Sequence, residues 1–236
     1  MLRFLVVLAL FVAAAFVVFV HARRAPQDMP WTRLDLGQPI GLFTGRKLAG
    51  LTQAPARCRA LLDRAGVRFT AEPARREGGH CGYDDLVELD PGGALAAAWR
   101  PELKTACPVA AGLSVWLWEV VQPAAQHYIG SRVVAVDHYG SYNCRRMYGA
   151  NRGPWSEHAT ADAIDVAGFR FADGTRITIK RDWKGDDARA TFLHVARNGA
   201  CKLFSTVLSP DYNAAHADHL HLDQARRGEW GWRACR

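Results

Sequence analysis

Apolar residues are distributed along this chain in two different ways. Phe4 to Val20 is an unbroken run of seventeen apolar residues, with Arg3 before it and Arg23 and Arg24 shortly after. As a helix the run is about 25 Å long, close to the roughly 30 Å hydrocarbon core of a bilayer. It has no polar face, so it does not read as an amphipathic core helix. It is also long for a signal-peptide core, which usually has about 7–15 residues. Residues 1–24 therefore read as an uncleaved signal anchor. A cleaved signal peptide ending after Ala22 is the alternative.

Beyond this run the apolar positions become periodic. Residues 25–55 hold four of the eleven prolines, Pro26, Pro30, Pro39 and Pro55, and read as a tether. From Ala56 the pattern is globular. Arg57 to Ala65 predicts a short helix stopped by Gly66, and Val67 to Ala71 a strand. Cys81-Gly82-Tyr83 opens an extended segment through Glu88. Ala106, Ala110, Leu113, Leu117, Val120, Val121 and Ala124 recur at helical spacing. They predict a helix over Thr105–Ile129, capped by Thr105, stopped by Gly130 and kinked by Pro123. Trp116 and Trp118 read as packing residues on it.

Arg132 to Val136 is a buried-strand pattern. Ala163 to Phe171 and Thr175 to Ile179 flank Ala172-Asp173-Gly174, a hairpin signal. Asp186 to Leu203 predicts a second long helix, and His219 to Asp223 alternates as a final strand. No internal repeat is present. This mixture predicts an α+β domain over residues 56–236, a small antiparallel sheet flanked by helices, behind an N-terminal transmembrane helix.

Composition adds three constraints. At 236 residues and 49% hydrophobic, the chain fits one sizeable domain and is not globally disordered. The net charge of +7 falls to +4 once the three arginines of residues 1–24 are set aside, leaving 27 basic and 23 acidic residues. No basic stripe with interleaved aromatics exists, so nucleic acid is not an expected partner.

The six cysteines, Cys58, Cys81, Cys107, Cys144, Cys201 and Cys235, all lie beyond the anchor. Their wide spacing, without C-x-x-C, suits structural disulfides in an oxidising compartment. Arg23, Arg24 and Arg33 would favour a cytoplasmic domain by the positive-inside rule. That bias is small, and the cysteines place the domain in the periplasm. Fifteen pairings of six cysteines are open.

Two clusters carry chemistry. One runs from Ser156 through His158 to Asp165; the other is His216-Ala217-Asp218-His219-Leu220-His221-Leu222-Asp223. Residues i and i+2 of a strand face the same side, so His219 and His221 present two imidazoles together, with His216 just before them. Imidazole is the commonest side-chain ligand for transition metals. His158 and Asp165 are placed to complete the set. Two histidines, one carboxylate and an open fourth position make a catalytic rather than a structural zinc arrangement. Asp223 faces the same side as His221, and Glu157 and Asp218 are candidate bases or outer partners.

The first cluster resembles the S-x-H-x-x-G-x-A-x-D signature of the LAS metallopeptidases, the superfamily of lysostaphin-type enzymes, D-Ala-D-Ala peptidases and the hedgehog signalling domain. The second resembles its distal H-x-H, and His216-x-x-His219-x-His221 is similar to the penicillin-insensitive murein endopeptidases. More closely, the stretch from about Cys58 to Asp223 resembles the bacterial extensin-like C-terminal domain family. Its matching segments are Gly140-Ser141-Tyr142-Asn143-Cys144-Arg145, Ser156-Glu157-His158, Ala163-Ile164-Asp165-Val166 and His216 to Asp223.

The resemblance implies a LAS-type, D-Ala-D-Ala peptidase-like fold and one Zn²⁺ held by His158, Asp165 and His221. It implies His219 as general base or proton shuttle, His216 as its partner, and Arg145 as the residue orienting the substrate. The implied function is a zinc-dependent peptidoglycan peptidase, carboxypeptidase or endopeptidase, acting on peptide stems from an inner-membrane anchor through residues 4–20. The alternative is a non-catalytic, zinc-containing module that binds cell wall or protein. Ala161 stands where the superfamily signature has glycine, which a backbone angle with positive φ would not favour.

Overall fold

The structure is a computed structural model describing residues 1–228 and 232–236. Its elements run α1 (Leu2–Arg24), α2 (Thr44–Ala49), α3 (Pro55–Arg64), β1 (Val67–Ala71), β2 (Arg75–Arg76), β3 (Gly82–Tyr83), β4 (Leu86–Gly93), β5 (Ala98–Arg100), β6 (Lys104–Ala106) and α4 (Cys107–Trp116). They continue α5 (Gln122–Tyr128), β7 (Val133–His138), β8 (Ala163–Phe171), β9 (Arg176–Thr178), α6 (Ile179–Asp182), α7 (Ala188–Ala200), β10 (Thr206–Leu208), β11 (Leu220–Asp223) and β12 (Ala234–Cys235).

The α+β class holds, but the main sheet is larger than expected and mixed. Seven strands lie in the order β12-β10-β11-β8-β7-β5, with β9 paired to β8. The centre is antiparallel, while β5 and β12 join in parallel at the two edges. A second, three-stranded sheet, β1-β4-β6, is antiparallel. Helices α4, α5 and α7 close the core, where Trp116, Phe169, Phe192 and Phe204 are almost fully buried.

The expected helix over Thr105–Ile129 starts later and is not uniform. Thr105 belongs to β6, and its hydroxyl donates to the Ala161 carbonyl at 3.1 Å instead of capping a helix. α4 begins at Cys107 with Pro108 in its first turn, where a missing N–H costs nothing. The kink expected at Pro123 takes the form of a π-helical turn, Leu117–Val121, just before it. A wider turn is one way to house a residue that cannot donate to the carbonyl four positions back. Gly130, at φ 74°, ends the run as expected. Trp116 and Trp118 are packing residues, their indoles donating to the Ala196 and Ala94 carbonyls.

α1 is a 23-residue helix with mean hydropathy 2.9 over its most apolar window and no buried residue. It is long and apolar enough to cross a membrane or to serve as a signal sequence. The segment after it departs from a tether. Leu34, Leu36, Leu48 and Leu51 are buried in the core. Lys47 Nζ donates to the Pro26 carbonyl, Gln27 Oε1 and Thr32 Oγ1 at 2.8–3.1 Å. Prolines mark turns as readily as linkers, and the apolar residues between these have no periodicity to reveal their burial.

All six cysteines are paired, as Cys58–Cys107, Cys81–Cys144 and Cys201–Cys235. The packing of residues 34–53 makes a direct prediction. Leu48→Ala lowers the unfolding free energy of the full chain by about 2–5 kcal/mol in urea denaturation. A free tether would leave it unchanged.

Candidate metal centre

The site is set by pairing between two central strands. β8 and β11 are antiparallel, with His221 directly opposite Asp165, Leu220 opposite Val166 and Leu222 opposite Ile164. Directly opposed residues project from the same face. Ile164, Val166, Leu220 and Leu222 therefore enter the core on one face, where all are fully buried. Asp165 and His221 stand together on the other.

His158 arrives from the 3₁₀ turn Glu157–Thr160, capped by Ser156. That turn ends in Ala161, whose φ of 59° is left-handed. The alanine at the glycine position of the signature thus takes the positive φ itself. Its carbonyl is held by the Ala106 amide at 3.0 Å and by the hydroxyls of Thr105 and Ser141. Those bonds from distant segments offset a conformation that costs roughly 1–2 kcal/mol for a non-glycine residue.

The segment Tyr139–Asn143 acts as the frame. Tyr139 N donates to Asp165 O at 2.8 Å, Asp165 N to Gly140 O at 3.3 Å, and Asn143 N to His158 O at 2.9 Å. Gly140 sits at φ 115°, which side-chain-bearing residues avoid. The Cys81–Cys144 disulfide ties the end of this frame down.

The three candidate ligands converge. His158 Nε2 lies 3.2 Å from both Asp165 Oδ2 and His221 Nδ1, and His221 Nδ1 lies 3.0 Å from Asp165 Oδ1. Ligand atoms about 2.0–2.2 Å from a tetrahedral ion stand about 3.4 Å apart, so the spacing fits one zinc. The outer nitrogens are already committed. His158 Nδ1 donates to the Ser141 carbonyl at 2.6 Å, and His221 Nε2 to Asp223 Oδ2 at 3.2 Å. Each inner nitrogen can therefore face the carboxylate only through a shared cation, a proton when no ion is bound or a metal when one is.

The titration behaviour follows. Burial raises the Asp165 carboxyl, but hydrogen bonds from His158 and His221 outweigh it and hold it well below the usual carboxylate range. Burial lowers His221, yet the bonds to Asp165 and Asp223 carry it up to about 9.

His219, His216, Arg145, Glu157 and Asp223 line the same cleft, of about 890 Å³. His219 Nε2 is 3.5 Å from Asp165 Oδ1, while its Nδ1 donates to Asp218 Oδ1 at 2.9 Å. His216 packs on His219 with ring centroids 5.2 Å apart and donates from Nδ1 to Asn213 Oδ1 at 2.7 Å. Burial, then repulsion from His219 and His221, pushes His216 down to about 4. Arg145 lies on the cleft wall, its carbonyl accepting from Ser156 N. Glu157 also lines the cleft, its carboxyl raised by burial first and by Asp223 next.

Sequence reasoning placed Asp223 and Asp218 as partners of the histidines but missed Ser141 and Tyr139. Ser141 acts on His158 through its backbone carbonyl, which carries no sequence signal. Tyr139 packs its ring against His219 at 5.8 Å, and its place one residue beyond β7 was the available clue. The left-handed turn is testable. Ala161→Val places a β-branched residue at positive φ in a buried site and costs about 2–4 kcal/mol, whereas Ala161→Gly keeps the turn. Thermal melting of both variants checks this, and equal melting would show that the turn is not constrained.

Neither curated proteins nor solved structures returned a match to the chain. Residues 56–236 match the family model described as Extensin-like protein C-terminus. That match covers all three sheets, the three disulfides and every residue of the histidine–aspartate cluster, and the chain belongs to the extensin-like protein C-terminus family.

Proposed function

We propose that this protein is a zinc-dependent peptidoglycan peptidase, carboxypeptidase or endopeptidase, held at the inner membrane with its domain in the periplasm. The observation that carries this reading is the convergence of His158, Asp165 and His221, with both outer imidazole nitrogens already engaged. The likeness of the two clusters to the LAS peptidase signature supports the reaction class and a peptidase-like fold. The apolar helix α1 and three disulfides support the envelope location.

His158 Nε2, Asp165 and His221 Nδ1 would hold the ion, while the Ser141 carbonyl and Asp223 fix the two rings. Zinc, when bound, supplies Lewis-acid activation of water and of the scissile carbonyl. His219 accepts the proton of the attacking water at Nε2 and returns it to the leaving amine. Asp218, bonded to His219 Nδ1, keeps Nε2 free to accept and stabilises the imidazolium once it forms. His216 packs on the His219 ring and holds it in place. Arg145 orients the peptide stem through a carboxylate or carbonyl.

The reading makes a graded prediction for the full chain purified in detergent. The native protein carries one zinc per chain and hydrolyses muropeptides. His158→Ala and His221→Ala lose both properties. His219→Ala keeps its zinc but loses about 10²–10⁴-fold in kcat. Metal analysis and muropeptide digestion read these outcomes. Stoichiometric zinc with no cleavage of any muropeptide would sink the enzyme. Capture by purified sacculi, with their muropeptide profile unchanged, would then identify a wall-binding module.

A further inference from the structure

A second groove, of about 710 Å³, opens beside the candidate centre, on the far side of Tyr139. Tyr139 lines it and also packs on His219. Five cations line it: Arg100, Arg170, Arg176, Lys180 and Arg181. One lining carboxylate opposes them, Asp137, with Asp182 close behind Arg181 at 3.7 Å.

The arginines are held rather than loose. Arg170 and Arg176 sit directly opposite each other across the β8–β9 hairpin, a pairing of like charges that is unfavourable by itself. Buried Asp137 bridges them. Its Oδ1 accepts from Arg170 Nε at 2.8 Å and its Oδ2 from Arg176 Nε at 3.0 Å. Arg181 donates from Nε to Thr178 Oγ1 at 3.1 Å. All three use Nε for support and remain substantially exposed, at 41%, 52% and 62%. Arg176 and Arg181 also engage Nη2, with Asp137 Oδ2 at 2.9 Å and the Arg176 carbonyl at 3.3 Å, so the Nη1 groups and the terminal edge of Arg170 are what the groove offers to an oxyanion.

The groove and the centre share one strand face because of a break in the ladder. Pairing of β7 with β8 shifts between Asp137 and His138, so that Asp137 opposes Gly168 while His138 opposes Val166. The inward positions of β8 change from Ile164 and Val166 to Phe169 and Phe171 across this bulge. Without it, residues 165 and 170 would point to opposite faces. With it, both point outward, about 17 Å apart at 3.4 Å per residue, the reach of roughly five extended residues.

We propose that this groove binds the free carboxylates of an acidic peptide whose scissile end lies at the histidine cluster. The inference rests on the peptidase reading for the direction of the peptide. Its test separates the two.

The full chain carrying His219→Ala, purified in detergent, is titrated with a stem peptide bearing free carboxylates and with the same peptide fully amidated. Calorimetry should show the acidic peptide bound about tenfold more tightly. The double substitution Lys180→Gln and Arg181→Gln should remove that preference while melting stays near the parent. Equal binding of both peptides, or a preference that survives the double substitution, overturns the groove. A preference without hydrolysis by the native chain leaves the groove and removes the peptidase. Hydrolysis without a preference does the reverse.

Discussion

The register between β8 and β11 is the constraint on which the rest depends. One set of pairings sends Ile164, Val166, Leu220 and Leu222 into the core and brings Asp165 against His221 on the opposite face. A slip of β11 by one residue would bury His221 and expose Leu220 and Leu222. Burying those side chains is worth about 1.5–3 kcal/mol each, so hydrophobic packing on one face fixes the polar geometry on the other. The centre therefore need not supply its own folding energy. The third ligand, His158, lacks this support, and the frame Tyr139–Asn143 with the left-handed turn at Ala161 provides it.

The disulfides reinforce the same plan from outside. Cys81–Cys144 fixes the end of the frame that carries His158. Cys201–Cys235 joins the end of α7 to β12, the edge strand that pairs in parallel with β10. Cys58–Cys107 joins α3 to the start of α4, across a separation of 49 residues. Each bond links a peripheral element to one packed on the main sheet or its frame. Each also lowers the entropy of the unfolded chain.

Much of the fold was legible, and the failures share a cause. β1 and β8 were read to the residue, because Val67–Ala71 and Ala163–Phe171 are short β-rich runs bounded by turn residues. Local signals failed where a distant partner decides the outcome. Thr105 looks like a helix cap, but the Ala161 carbonyl, 56 residues away, claims its hydroxyl. Residues 25–55 look like a tether by proline content, yet Leu34, Leu36, Leu48 and Leu51 are held by a core built from the rest of the chain. The site was more legible than its support. Histidine and aspartate announce their chemistry by type and spacing, whereas a backbone carbonyl such as that of Ser141 announces nothing.

More carboxylates surround the centre than three ligands need, and their surroundings sort them. Asp165 is the one placed between two imidazoles, and their hydrogen bonds overcome its burial and keep it ionised. Glu157 has no such partners, and burial beside Asp223 moves it toward the neutral form. Asp223 and Asp218 are each occupied by the outer nitrogen of a histidine, which turns the opposite nitrogen toward the centre. The same residue type is thus used as ligand or as orienting partner according to which nitrogen of which ring it meets. A carboxylate behind an imidazole raises the basicity of the nitrogen in front. A second carboxylate in front would add charge that a single divalent ion need not neutralise. Among the described residues, only His158, Asp165 and His221 form a cluster close enough for one ion, and this division of roles accounts for it.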